Sequence, residues 1–250
     1  MPGDTNRKVL VELLGKLVGE FIGTAFFVFM ASGSVVIPAA YMQEGSSATP
    51  SSYLVTAFIQ GFSLMAVVFT FADISGSHFN PAITLTFMFL GSFAVLLGLA
   101  YIVCQLAGAV VGAYIFRGTM DRYLLGHAGA TLPNLDVGIN QWQAYVIEVV
   151  ITSMLLFVVV STSFNLKNGL PSVRPLPIGF SVVAGVLFAG PLTGASMNPV
   201  RSLGPAIVAS AWRSHYVYWL AALTSSVFVG TLYRFLFQTA VSPLESSLLR

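Results

Sequence analysis

The chain has 250 residues, 56% of them apolar and only 8% charged, with a mean hydropathy of +0.85. A soluble domain carries about 25% charged residues, so a water-covered globule is excluded, and a formal net charge of +2 is too small to argue for nucleic acid as a partner. The one cysteine, Cys104, lies in an apolar run and excludes an internal disulfide or a cysteine metal site.

Residues 1–16 carry Asp4, Arg7, Lys8, Glu12 and Lys16 and end without a small-residue cleavage pattern. They are expected to be a tail rather than a signal peptide. Six long apolar segments follow, at 17–40, 53–72, 92–116, 142–163, 176–190 and 215–237. Apolar runs of roughly 18 residues or more read as membrane-spanning helices. Polar loops separate them at 41–52, 117–141 and 164–175, and residues 241–250 form a second tail. Two inserts, 73–91 and 191–210, start with small residues or proline and then turn apolar over a stretch too short to cross. About ten helical residues rise roughly 15 Å, half of a ~30 Å hydrocarbon core. Two such half-spans that meet make one crossing. The absence of any Asn-x-Ser/Thr triplet removes N-glycosylation from expectation.

The sequence repeats itself. Glu20-Phe21-Ile22-Gly23-Thr24 opens the first span and Glu148-Val149-Val150-Ile151-Thr152 the fourth, while Asn80-Pro81-Ala82 and Asn198-Pro199-Val200 sit in the two half-spans. Three spans on each side of an odd number of crossings make an inverted repeat, over about 17–116 and 142–237, within one membrane domain at 17–240. With the N-terminus inside, the cytoplasmic side carries Arg7, Lys8, Lys16, Lys167, Arg174, Arg234 and Arg250, against Arg117, Arg122, Arg201 and Arg213 outside. Seven against four follows the positive-inside rule. Both termini are then cytoplasmic, and the half-spans enter from opposite faces.

Asn followed by Pro is a good helix start, because the Asn side chain caps free amides and Pro suits the first helical position. Once, it would be an ordinary turn into a helix. Here it occurs at matching places in both halves. Ser75 to Thr84 (SGSHFNPAIT) and Thr193 to Ser202 (TGASMNPVRS) resemble the two signature loops of the aquaporin family. Glu20 to Thr24, Gln105-Leu106-Ala107-Gly108 and Ile178-Gly179-Phe180-Ser181 match further landmarks, and the resemblance runs from about residue 16 to 237.

The resemblance implies an all-α membrane protein of six transmembrane helices and two half-helices in an aquaporin-like right-handed bundle. It implies a passive channel for water and small neutral solutes, with no cofactor and no metal, embedded in a lipid bilayer as a homotetramer. The plasma membrane is the expected location, with the vacuolar membrane as the alternative. The half-helices should aim their positive ends at one spot, with Asn80 and Asn198 leaving their amide NH₂ groups free to donate to passing water and with cations repelled. Val200 stands where the family usually has Ala, and two more methyl groups there are expected to shift the spacing of the half-helices. The family's outer constriction maps by spacing to Gln60, Val186, Ala195 and Arg201. Arg201, a charge in an apolar setting, is the functional candidate among them. Water channels usually have an aromatic where Gln60 sits and a His where Val186 sits, which implies a filter wider than a water-only pore and some passage of glycerol, urea or ammonia. Gln60 either hydrogen-bonds the permeating molecule or turns toward a neighbouring helix. Ser202, Ala206 and Tyr218-Trp219 match water channels instead.

The resemblance also implies that Glu20 and Glu148 hold loop amides from inside the bundle, and a buried carboxylate with several donors needs no role in proton relay. His78 either lines the cytoplasmic vestibule or is a packed, hydrogen-bonded histidine, and His127 and His215 have no context that favours function. Gly19 with Gly23, and Gly108 with Gly112, have the spacing of close helix contacts. The serines at 172, 246 and 247 are candidate phosphorylation sites. A secondary active transporter would need ionisable groups near the midplane, and an enzyme a nucleophile with its base or a metal cluster. The chain offers almost none of the first and neither of the second.

Overall fold

A computed structural model describes residues 2–40, 50–120, 131, 138–164 and 173–237. Arg122, His127, Lys167, Ser172, Ser246, Ser247, Arg250 and the tail at 241–250 lie outside the described residues. Every regular element among the described residues is helical: α1 (Pro2–Ala40), α2 (Pro50–Ser75), α3 (Pro81–Leu90), α4 (Val95–Thr119), α5 (Gln141–Phe164), α6 (Pro175–Thr193), α7 (Pro199–Ala209) and α8 (Tyr216–Leu232), with a π-helical turn over Tyr233–Phe237. Six of these are long and apolar enough to cross a membrane. The two half-helices, α3 and α7, have 10 and 11 residues.

The N-terminal residues are helical and continuous with the first span. α1 starts at Pro2 and runs unbroken for 39 residues, roughly 58 Å at 1.5 Å per residue, so it extends well beyond a ~30 Å hydrocarbon core. Leucines, valines and charged helix formers fill residues 8–18, and a Glu12–Lys16 ion pair of 2.6 Å one turn apart supports the exposed face.

The two repeats pack in the same way. α1 lies on α4 and α2, α5 lies on α8 and α6, and α2 meets α6 along the axis that relates the halves. The half-helices are exchanged: α3 of the first repeat packs on α8 of the second, and α7 of the second on α4 of the first. Large side chains such as Phe69, Leu96, Val103 and Phe188 point outward, exposed on the surface that a bilayer would cover.

Close backbone approach fixes these crossings. On α4, Gly108 and Gly112 lie directly against the carbonyl oxygens of Phe21 and Ala25 on α1, leaving no room for a β-carbon. On α2 and α6, a β-carbon at Gly61 would come 2.7 Å from the Gly179 oxygen, and one at Gly179 equally close to the Gly61 oxygen. Gly108→Ala is therefore expected to push α1 and α4 apart and destabilise the fold by about 1–3 kcal/mol. Gly15→Ala, where nothing lies within 4 Å, should be neutral or stabilising, since Ala is the better helix former. Thermal unfolding of the two variants in the same detergent makes the comparison, and equal midpoints would contradict it.

Candidate functional site

The half-helices begin on matched caps. Asn80 has φ −155° and ψ 118°, and its Oδ1 accepts from the Ala82 amide at 2.9 Å. Asn198 has φ −153° and ψ 110°, and its Oδ1 accepts from the amides of Val200 at 3.1 Å and Arg201 at 3.4 Å. Pro81 and Pro199 occupy the first helical position, where no amide proton is needed. The side-chain amides depart from the expectation that both would be wholly free. Asn80 Nδ2 donates to the Met197 oxygen at 2.8 Å, and Asn198 Nδ2 donates to the Phe79 oxygen at 2.9 Å. A primary amide has two protons, so each Asn ties the opposite loop with one and keeps one. Val200, at the start of the second half-helix, is completely buried.

The loops ahead of the caps share one backbone pattern. Gly76, Ser77 and Phe79 have φ of 82°, 57° and 48°, and Gly194, Ala195 and Met197 have 81°, 47° and 51°. Left-handed conformations at non-glycine residues cost on the order of 1–3 kcal/mol each. They persist because buried carboxylates hold the loops. Glu20 accepts from the His78 and Phe79 amides at 2.9 and 2.7 Å, from Ser75 Oγ at 2.7 Å and from Gln105 Nε2 at 2.8 Å. Glu148 accepts from the Ser196 and Met197 amides at 2.9 and 3.1 Å and from Thr193 Oγ1 at 2.6 Å. A tyrosine closes each loop from the third span of its own repeat: Tyr101 donates to the Ser75 oxygen at 2.8 Å and Tyr218 to the Thr193 oxygen at 2.7 Å.

Two cavities share Leu64, His78 and Ile83 in their linings. One, of about 10 Å³, is lined by Gln60, His78, Asn80, Asn198, Ser196 and apolar side chains including Phe27 and Val182. That is space for about one water. The other, of about 90 Å³, is lined by Gly76, Ser77, His78, Phe87, Thr162, Ser163 and Arg174 among others. His78 lines both cavities and is also packed. Its Nδ1 lies 3.1 Å from Thr84 Oγ1, and its ring stacks on Phe87 at 5.0 Å. Thr84 Oγ1 in turn accepts from Gln105 Nε2 at 3.0 Å, so a chain of polar groups runs from His78 back to Glu20. Gln60 turns toward a neighbouring helix. Its Nε2 donates to Ser34 Oγ on α1 at 3.0 Å, while the residue lines the smaller cavity.

Val186, Ala195 and Arg201 are buried and do not line that smaller cavity. Arg201 is 1% exposed, and none of its three guanidinium nitrogens has a hydrogen-bond partner among the described residues. Donors that the described residues leave unused are available to a passing molecule.

Several contributors were not found by reading the sequence. Thr131, from the connection between α4 and α5, is 3% exposed and donates to Ser202 Oγ at 2.6 Å, and a β-carbon at Gly194 would come 3.1 Å from its atoms. Ser202 Oγ also bonds Ser196 Oγ, in the place that Thr84 and His78 occupy in the other repeat. Arg117 Nη1 donates to the Val208 oxygen at 3.1 Å, and Arg234 Nη1 to the Phe89 oxygen at 3.2 Å. Each arginine caps the far end of the other repeat's half-helix, where a cation offsets the negative end of the dipole. His215 accepts from Trp219 Nε1 at 3.1 Å. No group of three or more metal-ligating side chains occurs among the described residues.

Six spans, two half-helices meeting cap to cap and a water-sized cavity at their junction define a membrane channel. The sequence matches the model of the Major intrinsic protein family over residues 8–233. It is 36% identical to the probable aquaporin TIP1-1 of Oryza sativa subsp. japonica over 221 residues, covering 88% of this chain and 86% of that one. It is 34% identical to aquaporin A of Dictyostelium discoideum over 228 residues, covering 90% and 80%. The fold matches the X-ray structure of the aquaglyceroporin from Plasmodium falciparum with a TM-score of 0.79 and 21% identity, over 92% of this chain and 98% of that one. The chain belongs to the major intrinsic protein family, the aquaporins. It is an integral, multi-pass membrane protein of a non-enzymatic channel class.

Proposed function

We propose that this chain is a passive water channel that excludes ions where Asn80 and Asn198 meet and again at Arg201. The observation that carries the reading is the reciprocal locking of the two asparagines beside a cavity of about 10 Å³. The positive ends of α3 and α7 converge there, and the one remaining proton on each amide turns a passing water's oxygen toward both. That interrupts the donor–acceptor order of the file, and a cation loses its hydration without compensation. No carboxylate lines either cavity among the described residues, which favours a channel over a carrier that binds a coupling ion. In this reading Gln60, Val186, Ala195 and Arg201 make the outer filter, His78 lines the inner vestibule, and Glu20 and Glu148 are structural acids. The chain sits with both termini cytoplasmic in the plasma membrane and forms a homotetramer with a pore in each copy. A tagged chain in cells distinguishes the plasma membrane from the vacuolar membrane.

A second reading, a mixed channel that also passes glycerol, urea or ammonia, is favoured by Gln60 and Val186, both less bulky than the usual aromatic and histidine. Stopped-flow light scattering on proteoliposomes separates the two. A water channel shrinks rapidly in an impermeant osmolyte and shows no protein-dependent re-swelling in glycerol. Re-swelling above protein-free controls establishes the mixed channel, and shrinkage no faster than empty vesicles rejects both readings.

Mercuric ion is expected to have little effect on this flux. By family resemblance the usual reactive cysteine position holds Ala195, and Cys104 is half-buried on α4 away from both cavities. Rapid block that persists in Cys104→Ser would contradict this assignment.

A further inference from the structure

We propose that Arg174 makes the inner vestibule a third cation barrier, independent of the asparagine pair and of Arg201. Arg174 immediately precedes α6 and lines the 90 Å³ cavity together with Ser77, His78, Thr162 and Ser163. Its Nε is buried without a hydrogen-bond partner among the described residues. A cation at the N-terminus of a helix opposes the helix dipole, so nothing in the local helix asks for arginine at this place. Its charge and the positive end of α6 instead add together on the cavity wall. Thr162 Oγ1 and Ser163 Oγ both donate to the Val159 oxygen, so the hydroxyls beside Arg174 are already committed. Asp73, at the same end of α2, is exposed and not among the lining residues. The C-terminal ends of α2 and α5, at Ala72 and Gly76 and at Thr162 and Ser163, bring opposing partial charges to the same wall, but Arg174 carries the one full formal charge among the described lining residues and sets the sign of the cleft.

The inference rests on the reading of this cavity as the cytoplasmic mouth of the pore, and its test does not depend on water flux. Ser163→Cys in a Cys104→Ser background places one thiol on the cavity wall. Its reaction rates from the cytoplasmic face are measured with two methanethiosulfonates of similar size, the anionic sulfonatoethyl and the cationic trimethylammonioethyl reagents. Each rate is normalised to that of a small free thiol. With Arg174 present, the anionic-to-cationic rate ratio is expected to exceed the free-thiol ratio several-fold, and to shrink as salt screens the field. Arg174→Gln should bring the ratio down several-fold, and Arg174→Lys should keep it. A ratio unchanged by Arg174→Gln, or a thiol unreactive to both reagents, would overturn the proposal. Loss of water permeability with the charge-dependent ratio intact would instead reject the water-channel reading and leave the assignment of Arg174 standing.

Discussion

Glu20→Ala is expected to abolish the folded channel rather than to tune it. The carboxylate accepts four hydrogen bonds, from two loop amides, Ser75 and Gln105, inside a completely buried site. Each donor left without a partner costs about 1–3 kcal/mol. Four of them together cost about 4–12 kcal/mol, comparable with the entire stability of a typical domain at about 5–15 kcal/mol. The left-handed residues Ser77 and Phe79 would also lose what holds them. Glu20→Gln keeps one acceptor oxygen and should retain part of the fold at a lowered unfolding temperature. The yield of monodisperse protein after detergent extraction, with the unfolding midpoint, makes the measurement. A Glu20→Ala protein that extracts, melts and conducts like the parent would show that the loop is held by something else.

Arg201→Val should do the opposite, preserving the fold while changing what passes. The guanidinium makes no hydrogen bond to the described residues, so its removal strands no partner among them. It also relieves the desolvation of a buried charge, and the unfolding temperature should stay level or rise. Function should change strongly. Two unit charges ~4 Å apart interact by about 4 kcal/mol at an effective dielectric of ~20, which is on the order of a thousandfold in rate. Cation conductance should therefore rise by up to that factor, limited by the barrier that remains at Asn80 and Asn198, and glycerol flux should rise as the filter widens. Whole-cell current and glycerol re-swelling read the two effects separately. Unchanged ion exclusion and solute range together would remove Arg201 from the filter.

The contrast between these two residues shows what a sequence displays and what it hides. The six spans and both half-helices were legible because hydropathy is written locally: each needs only its own residues to be recognised. Asn80-Pro81 and Asn198-Pro199 were legible as caps for the same reason. The exchange of amide protons between the loops was not, because Asn80 and Met197 are 117 positions apart and nothing in either motif states which carbonyl faces it. Thr131 lies in a polar connection with no periodicity and is placed only by Ser202 and the Gly194 turn. Arg117 and Arg234 looked like ordinary juxtamembrane charges and entered only as votes for orientation. Their capping of the opposite half-helices depends on the two-fold packing of the whole bundle. The helical residues 2–16 were missed because charges in an N-terminal segment suggest a solvated tail, although the same charges are compatible with a helix that projects into water.

The exchanged half-helices also set a clock for biogenesis. α3 emerges from the ribosome early, yet its packing partner α8 begins only at Tyr216, 135 positions after Pro81. At about 5–20 residues per second, α3 must wait on the order of ten seconds for the surface that buries it. During that interval Asn80 has no Met197 to bond, and the first repeat is a hairpin of spans around an unfinished re-entrant loop. Expressed alone, either repeat should remain in this waiting state, exposing an unsheltered half-helix to the membrane's quality control. The two halves supplied as separate chains in one membrane should complete each other. The pore thus belongs to neither repeat and comes into being only when the last helix arrives.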